Sequence, residues 1–166
     1  MVRLAPTYSE TFVSVMDQQQ VMERLDGVTR RVNFLETVMV PPEESILFNG
    51  DLKSNQFTIS KKIDKADSFL PLIKGKVSPL AKGCLISLDY SFFPATVFFL
   101  SFWGVVSFLL TVLFLAVFQD WKLAALSTLA GIGNYGFAIW HFRRKVKESQ
   151  LLFYDMMDMK AGRGAP

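Results

Sequence analysis

Tyr90 to Gln119 reads YSFFPATVFFLSFWGVVSFLLTVLFLAVFQ, and Leu123 to Phe142 reads LAALSTLAGIGNYGFAIWHF, with only Asp120-Trp121-Lys122 between them. Neither run contains an Asp, Glu, Lys or Arg. A helix needs about 20 residues to cross the roughly 30 Å hydrocarbon core of a bilayer, and each run is long enough. Two such runs joined by a tight turn predict a transmembrane helical hairpin, with spans over about 94–118 and 123–142. The fold class expected is an α+β membrane protein in four zones. Residues 1–42 form an arm and an amphipathic or coiled-coil-like helix, and 43–91 a four-strand antiparallel β-domain. Residues 92–142 form the hairpin, and 143–166 a basic helix with a loose tail.

Charge orients the hairpin. Basic and acidic residues balance before Tyr90, and the excess that makes the net charge +3 follows it, chiefly as Arg143-Arg144-Lys145 and Lys147. A basic cluster directly after a span is an orientation signal, whereas a nucleic-acid footprint is a basic face on a folded domain. Lys74, Lys76 and Lys82 precede the first span, and the turn has one lysine beside Asp120. Both termini are therefore expected in the cytoplasm. Arg143, Arg144, Lys145 and Lys147 are expected at anionic headgroups, worth about 1 kcal/mol per basic residue. Val146, Phe153 and Met156 or Met157 can share one face of the helix that follows; a solvated extension fits equally well.

The two spans differ. The first is dense in Phe, Leu and Val; the second carries Ser127, Gly131, Gly133 and Gly136, with Asn134 as its most polar group. Small residues let helices approach, and amides in lipid hydrogen-bond to a neighbouring helix. The partner is either the first span or another membrane subunit. The absence of ionisable residues from both spans argues against a proton relay, voltage sensor or ion-coupled transporter.

Upstream, the clearest alternation is Cys84, Ile86, Leu88 and Tyr90, with shorter ones at Ile46, Phe48, Gly50 and at Phe57, Ile59. These read as strands of a meander. The run from Phe69 to Val77 contains Pro71 and Gly75, which points to an edge or bulged strand. Thr7-Tyr8-Ser9-Glu10 fits a capping box, so helix is expected from there to about Val40, where Pro41-Pro42 ends it. Within it Val21, Leu25, Val28, Val32, Leu35 and Met39 alternate steps of four and three, a heptad seam. Arg31 and Glu36 flank the seam as in short trimerisation motifs. The spacing fits a homotrimer through residues 21–39, and equally an amphipathic helix lying on its own domain or on the membrane.

Phe48-x-Gly50, Phe57-x-Ile59, Ser68-Phe69-x-Pro71, Gly75 and Gly83, followed by the hairpin, resemble a family of small uncharacterised bacterial membrane proteins. Those pair a short β-rich cytoplasmic domain with two spans. The resemblance covers roughly residues 45–142. It implies this architecture and a bacterial source, and no activity; the location expected for the chain is the bacterial plasma (inner) membrane or another energy-transducing membrane.

Chemistry-bearing residues are sparse. Gly131-Ile132-Gly133-Asn134-Tyr135-Gly136 satisfies G-x-G-x-x-G, but inside a span rather than at a strand-to-helix turn, so helix packing explains it better than a dinucleotide. His141, the only histidine, is the one conceivable axial ligand for a haem or pigment; with Cys84 as the only cysteine, four-ligand zinc is not expected. Cys84 reads as a small core hydrophobe. No catalytic residue, metal, cofactor or nucleic-acid contact is expected. The reading is a non-enzymatic accessory, assembly or scaffold subunit whose partners are the bilayer and other membrane proteins. Two alternatives stand beside it: an autonomous homo-oligomeric sensor or channel, and a lipid- or pigment-binding module.

Overall fold

The computed structural model describes residues 7–31, 46–63 and 67–157. Strand β1 (Thr7–Ser14) leads to helix α1 (Gln18–Val28) and the short β2 (Thr29–Arg31). Strands β3 (Phe48–Leu52), β4 (Gln56–Lys61), β5 (Pro71–Pro79) and β6 (Cys84–Phe92) follow, then helices α2 (Pro94–Ala116) and α3 (Trp121–Met156). The strands make one six-stranded sheet in the order β1-β6-β5-β4-β3-β2. β3 to β6 form the antiparallel meander that alternation predicts. β1 adds antiparallel to β6, and β2 adds parallel to β3.

The N-terminal region differs from the expected long helix. Thr7 to Ser14 is a strand paired along its whole length with β6, from Thr7 opposite Ser91 to Ser14 opposite Cys84. Its β-branched and aromatic residues suit a pleated surface, and that pairing outweighs the local capping signal. The capping box lies further on: Asp17 Oδ1 accepts from the Gln20 amide at 2.8 Å, and Gln20 Oε1 from the Asp17 amide at 3.2 Å. The helix ends at Val28, and Arg31 stands in β2. A heptad seam running through Arg31 is thus interrupted by strand. Val21 and Leu25 are fully buried in the domain's own core and Val28 packs against it, so these three seam positions face inward rather than toward another chain. Val32, Leu35, Glu36 and Met39 lie outside the described residues.

β5 is an interior strand, not an edge. Pro71 is its first residue, where a missing N–H is tolerated, and it sits opposite Phe92. Gly75 sits opposite Phe57, and a Cβ there would overlap the Phe57 ring. The glycine makes room for a cross-strand aromatic ring instead of marking a bulge.

One sheet face is covered. Cys84, Ile86, Leu88, Tyr90 and Phe92 turn inward at period two, joined by Ile73, Val77, Phe57, Ile59 and Phe48. Against them lie α1 and the second half of α3, where Phe142, Val146, Ser149, Phe153 and Met156 recur at steps of four, three, four and three. Phe153 stacks on Phe57 at 6.0 Å and meets Phe12 and Phe48 edge-on. Cys84 is part of this core, and burial followed by the nearby Asp17 pushes its thiol pKa up.

α3 is one continuous helix of 36 residues, not a span followed by a separate basic helix. No glycine or proline interrupts Phe137 to Met156, and half of the residues there are good helix formers. The domain boundaries shift accordingly. Residues 7–31, 46–63, 67–92 and about 138–157 build one α+β unit, and the hairpin lies between its last strand and its covering helix segment.

Candidate functional site

Two helices of this chain are long and apolar enough to cross a membrane, α2 and α3. Both leave large apolar side chains uncovered: Phe98 is 75%, Phe108 66% and Leu129 65% exposed. In water this would be an apolar patch far beyond what monomeric soluble proteins carry.

Serines and threonines lock the hairpin. Ser107 Oγ donates to the Ser127 carbonyl at 2.7 Å, and Ser127 Oγ donates back to the Ser107 carbonyl at 2.9 Å. The Thr111 and Thr128 hydroxyls lie 3.1 Å apart. Gly131 lets the helices close: a Cβ there would stand 2.7 Å from Ser107 Oγ. At the turn, Gln119 takes a positive φ of 51° and Asp120 caps α3 by accepting from the Lys122 and Leu123 amides at 2.9 and 3.1 Å. Ser127 and Gly131 are therefore intrachain packing residues. Gly133 and Gly136 have open space where a Cβ would be, and Asn134 is exposed.

A groove of about 520 Å³ runs along one side of the hairpin. Phe99, Trp103 and Leu110 line it from α2, and Leu123, Ala130 and Asn134 from α3. Its lining is mainly apolar, with the Asn134 amide, the Trp103 indole and the already bonded Ser107 and Ser127 hydroxyls as its polar groups. Toward the sheet, His141 stacks on Phe69 at 5.5 Å and lies 4.7 Å from Phe137 and 5.1 Å from Trp140, ring to ring. Among the described residues no group of three His, Cys, Asp or Glu is placed to hold a metal. The imidazole serves as one ring of an aromatic cluster.

The basic cluster is partly neutralised. Lys145 Nζ lies 3.3 Å from both Asp67 and Glu148, Arg144 3.6 Å from Glu148, and Lys61 3.8 Å from the same carboxylate. Burial works to lower the Lys145 pKa, but the Glu148 and Asp67 carboxylates outweigh it and the pKa rises. Arg143 and Lys147 remain exposed. Among the described residues, Lys145 alone of the four cations is paired across to the rest of the domain, through Asp67; Arg144 pairs within α3, and Arg143, Arg144 and Lys147 stay on its surface.

One polar cluster is invisible in the linear sequence. Glu10 on β1 accepts from Tyr90 Oη at 2.7 Å through one carboxylate oxygen, and through the other from Gln150 Nε2 at 2.7 Å and Tyr154 Oη at 2.8 Å. Burial, then the bond to Glu10, pushes both phenol pKa values up. Glu10 holds the end of α3 to the β1–β6 edge from 140 residues away in sequence. Neither spacing nor a motif marks it beforehand, because its partners meet only when β1 pairs with β6.

No family model matches the chain, and no curated protein matches it. Among solved structures, it is similar to the solution NMR structure of a Polyketide_cyc-like protein from Corynebacterium glutamicum. That likeness has a TM-score of 0.35 and 12% identity, over 90% of this chain and 96% of that one. A likeness this distant carries neither fold nor function across.

Proposed function

We propose that this chain is a non-enzymatic membrane scaffold or accessory subunit whose hairpin crosses the bilayer and holds the α+β domain at the cytoplasmic surface. The observation that carries the reading is the continuity of α3. Its first half exposes Leu126, Leu129 and Ile132, while its second half supplies Phe142, Phe153 and Met156 to the core of the sheet domain. A helix shared in this way sets the domain's orientation relative to the bilayer without a flexible linker.

The exposed sheet face is the surface offered to other subunits. Ser9, Thr11, Lys74, Lys76 and Asp89 stand on it, with Ser9 donating to Asp89 at 2.5 Å and Thr11 3.3 Å from Ser87. It is largely polar, while Phe153 and its neighbouring rings fill the space between sheet and helix. That filling favours docking over a lipid or pigment pocket on the meander. The flanking cations support an arrangement with both termini in the cytoplasm.

Native mass spectrometry of the assembly released from its own membrane in mild detergent tests this. The expected result is this chain in a heteromeric complex of fixed stoichiometry. Masses that are only multiples of this chain, or release of the chain from membranes by alkaline carbonate, overturn it.

A further inference from the structure

Asn134 is the one side-chain amide on the hairpin groove. It is exposed and has no hydrogen-bond partner among the described residues. Counting from Trp121 at 1.5 Å per residue, it lies about 20 Å along α3, inside the hydrocarbon layer if the hairpin spans it. Trp103 lines the same groove from α2. An acyl chain would fill the apolar part and leave the amide unsatisfied, because lipid tails have neither donor nor acceptor. The occupant must therefore bring a polar group to this depth.

We propose that the groove seats a second copy of this chain, with the two Asn134 amides hydrogen-bonded to each other across a two-fold axis along the membrane normal. This rests on the membrane-spanning reading above. Copies inserted by the same flanking charges share one orientation, so the axis relating them runs along the normal. Each residue then meets its counterpart at its own depth. An amide is self-complementary, since it carries both donor and acceptor, whereas a carboxylate or an ammonium would repel its copy. A closed two-fold contact uses the same patch on both chains. The residues next to Asn134 permit a close approach: Ala130 lines the groove one turn before it, and Gly133 has open space beside it. The contact proposed lies on the hairpin; Val21 and Leu25 are already buried in the sheet domain.

The test is disulfide cross-linking of the full chain in native membranes, with Ala130→Cys against Ile132→Cys. Ile132 is exposed and lies about 200° further round the helix, at 100° per residue. The proposal expects a cross-linked dimer from Ala130→Cys and none from Ile132→Cys. It also expects energy transfer between labelled copies diluted in phosphatidylcholine vesicles to show self-association about tenfold weaker for Asn134→Leu. Asn134→Gln should keep most of it. Cross-linking through Ile132→Cys, an Asn134→Leu chain that associates like wild type, or an Ala130→Cys chain that stays monomeric or links to a different protein overturns it. Carbonate extraction run alongside separates the two levels. A chain retained in the membrane but not cross-linked at 130 sinks the dimer alone, and a chain released by carbonate sinks the spanning reading with it.

Discussion

The two halves of α3 are the same helix with two different distributions of apolar residues. From Trp121 to Phe137 its apolar residues point in every direction, and of these Ala124 alone is buried. From Ala138 to Met156 the buried ones form one stripe against the sheet, with Arg143, Arg144 and Lys147 on the outside. A helix hydrophobic all round belongs in an apolar surrounding, and one with a single stripe belongs on a protein surface. The change happens without a break in the backbone, between Phe137 and Phe142. The aromatic cluster of Phe69, Phe137, Trp140 and His141 marks it. Secondary structure is therefore no guide to where this domain ends; the distribution of apolar residues around the helix is.

Breaking one half should leave the other intact. The largest effect is expected from Phe153→Ala, which empties the space between Phe57, Phe48 and Phe12. A loss of about 3–5 kcal/mol is expected for the sheet domain by denaturant titration in detergent micelles, with membrane retention unchanged. If carbonate extraction changes as well, the halves are coupled more tightly than helix continuity alone requires. Val105→Arg attacks the opposite side: its side chain is 56% exposed on α2 near mid-span. It should cost about 2.5–3.5 kcal/mol in an insertion assay while the domain's unfolding midpoint stays put.

A smaller change sharpens the comparison at the far end of α3. Tyr154→Phe removes one hydrogen bond to Glu10 and should cost about 1 kcal/mol in the same titration, freeing the helix end first in hydrogen exchange. The tyrosines also set a pH dependence. Folding raises the Tyr90 and Tyr154 pKa values above the ordinary 10.0, so the folded chain holds protons that the unfolded chain loses. Their contribution is complete below about pH 10 and falls as pH rises beyond it. Wild type should lose stability above about pH 10 more steeply than Tyr154→Phe; equal slopes would mean that Tyr154 ionises as freely folded as unfolded.

The β-meander is legible in the sequence because its strands alternate cleanly over a single covered face. The hairpin is legible because a run of about 20 uncharged, apolar residues matches the length a helix needs to cross a bilayer. The packing role of Ser127 and Gly131 is legible for a related reason: small residues four apart on a helix have one common use. The N-terminal segment misleads because Thr7 to Glu10 satisfies a local capping pattern. The competing β6 edge lies far along the chain, with Ser14 meeting Cys84, and cannot be weighed locally. The heptad at Val21, Leu25 and Val28 misleads differently, since a stripe at steps of four and three says that a face is buried but not against what.

What the amino-acid order determined alone is the set of apolar faces: an all-round hydrophobic hairpin, a period-two sheet and one helical stripe. These depend on near neighbours in the chain. Tertiary structure decided which face meets which. It made β1 a strand by giving it β6, placed β5 inside by resting the Phe57 ring over Gly75, and turned the Val21–Leu25 stripe inward. It also joined Glu10 to Tyr90, Gln150 and Tyr154. The physical reason is that burial free energy is non-directional and goes to whatever surface is within reach. Proximity across 80 to 140 residues is a property of the folded chain and not of any segment of it.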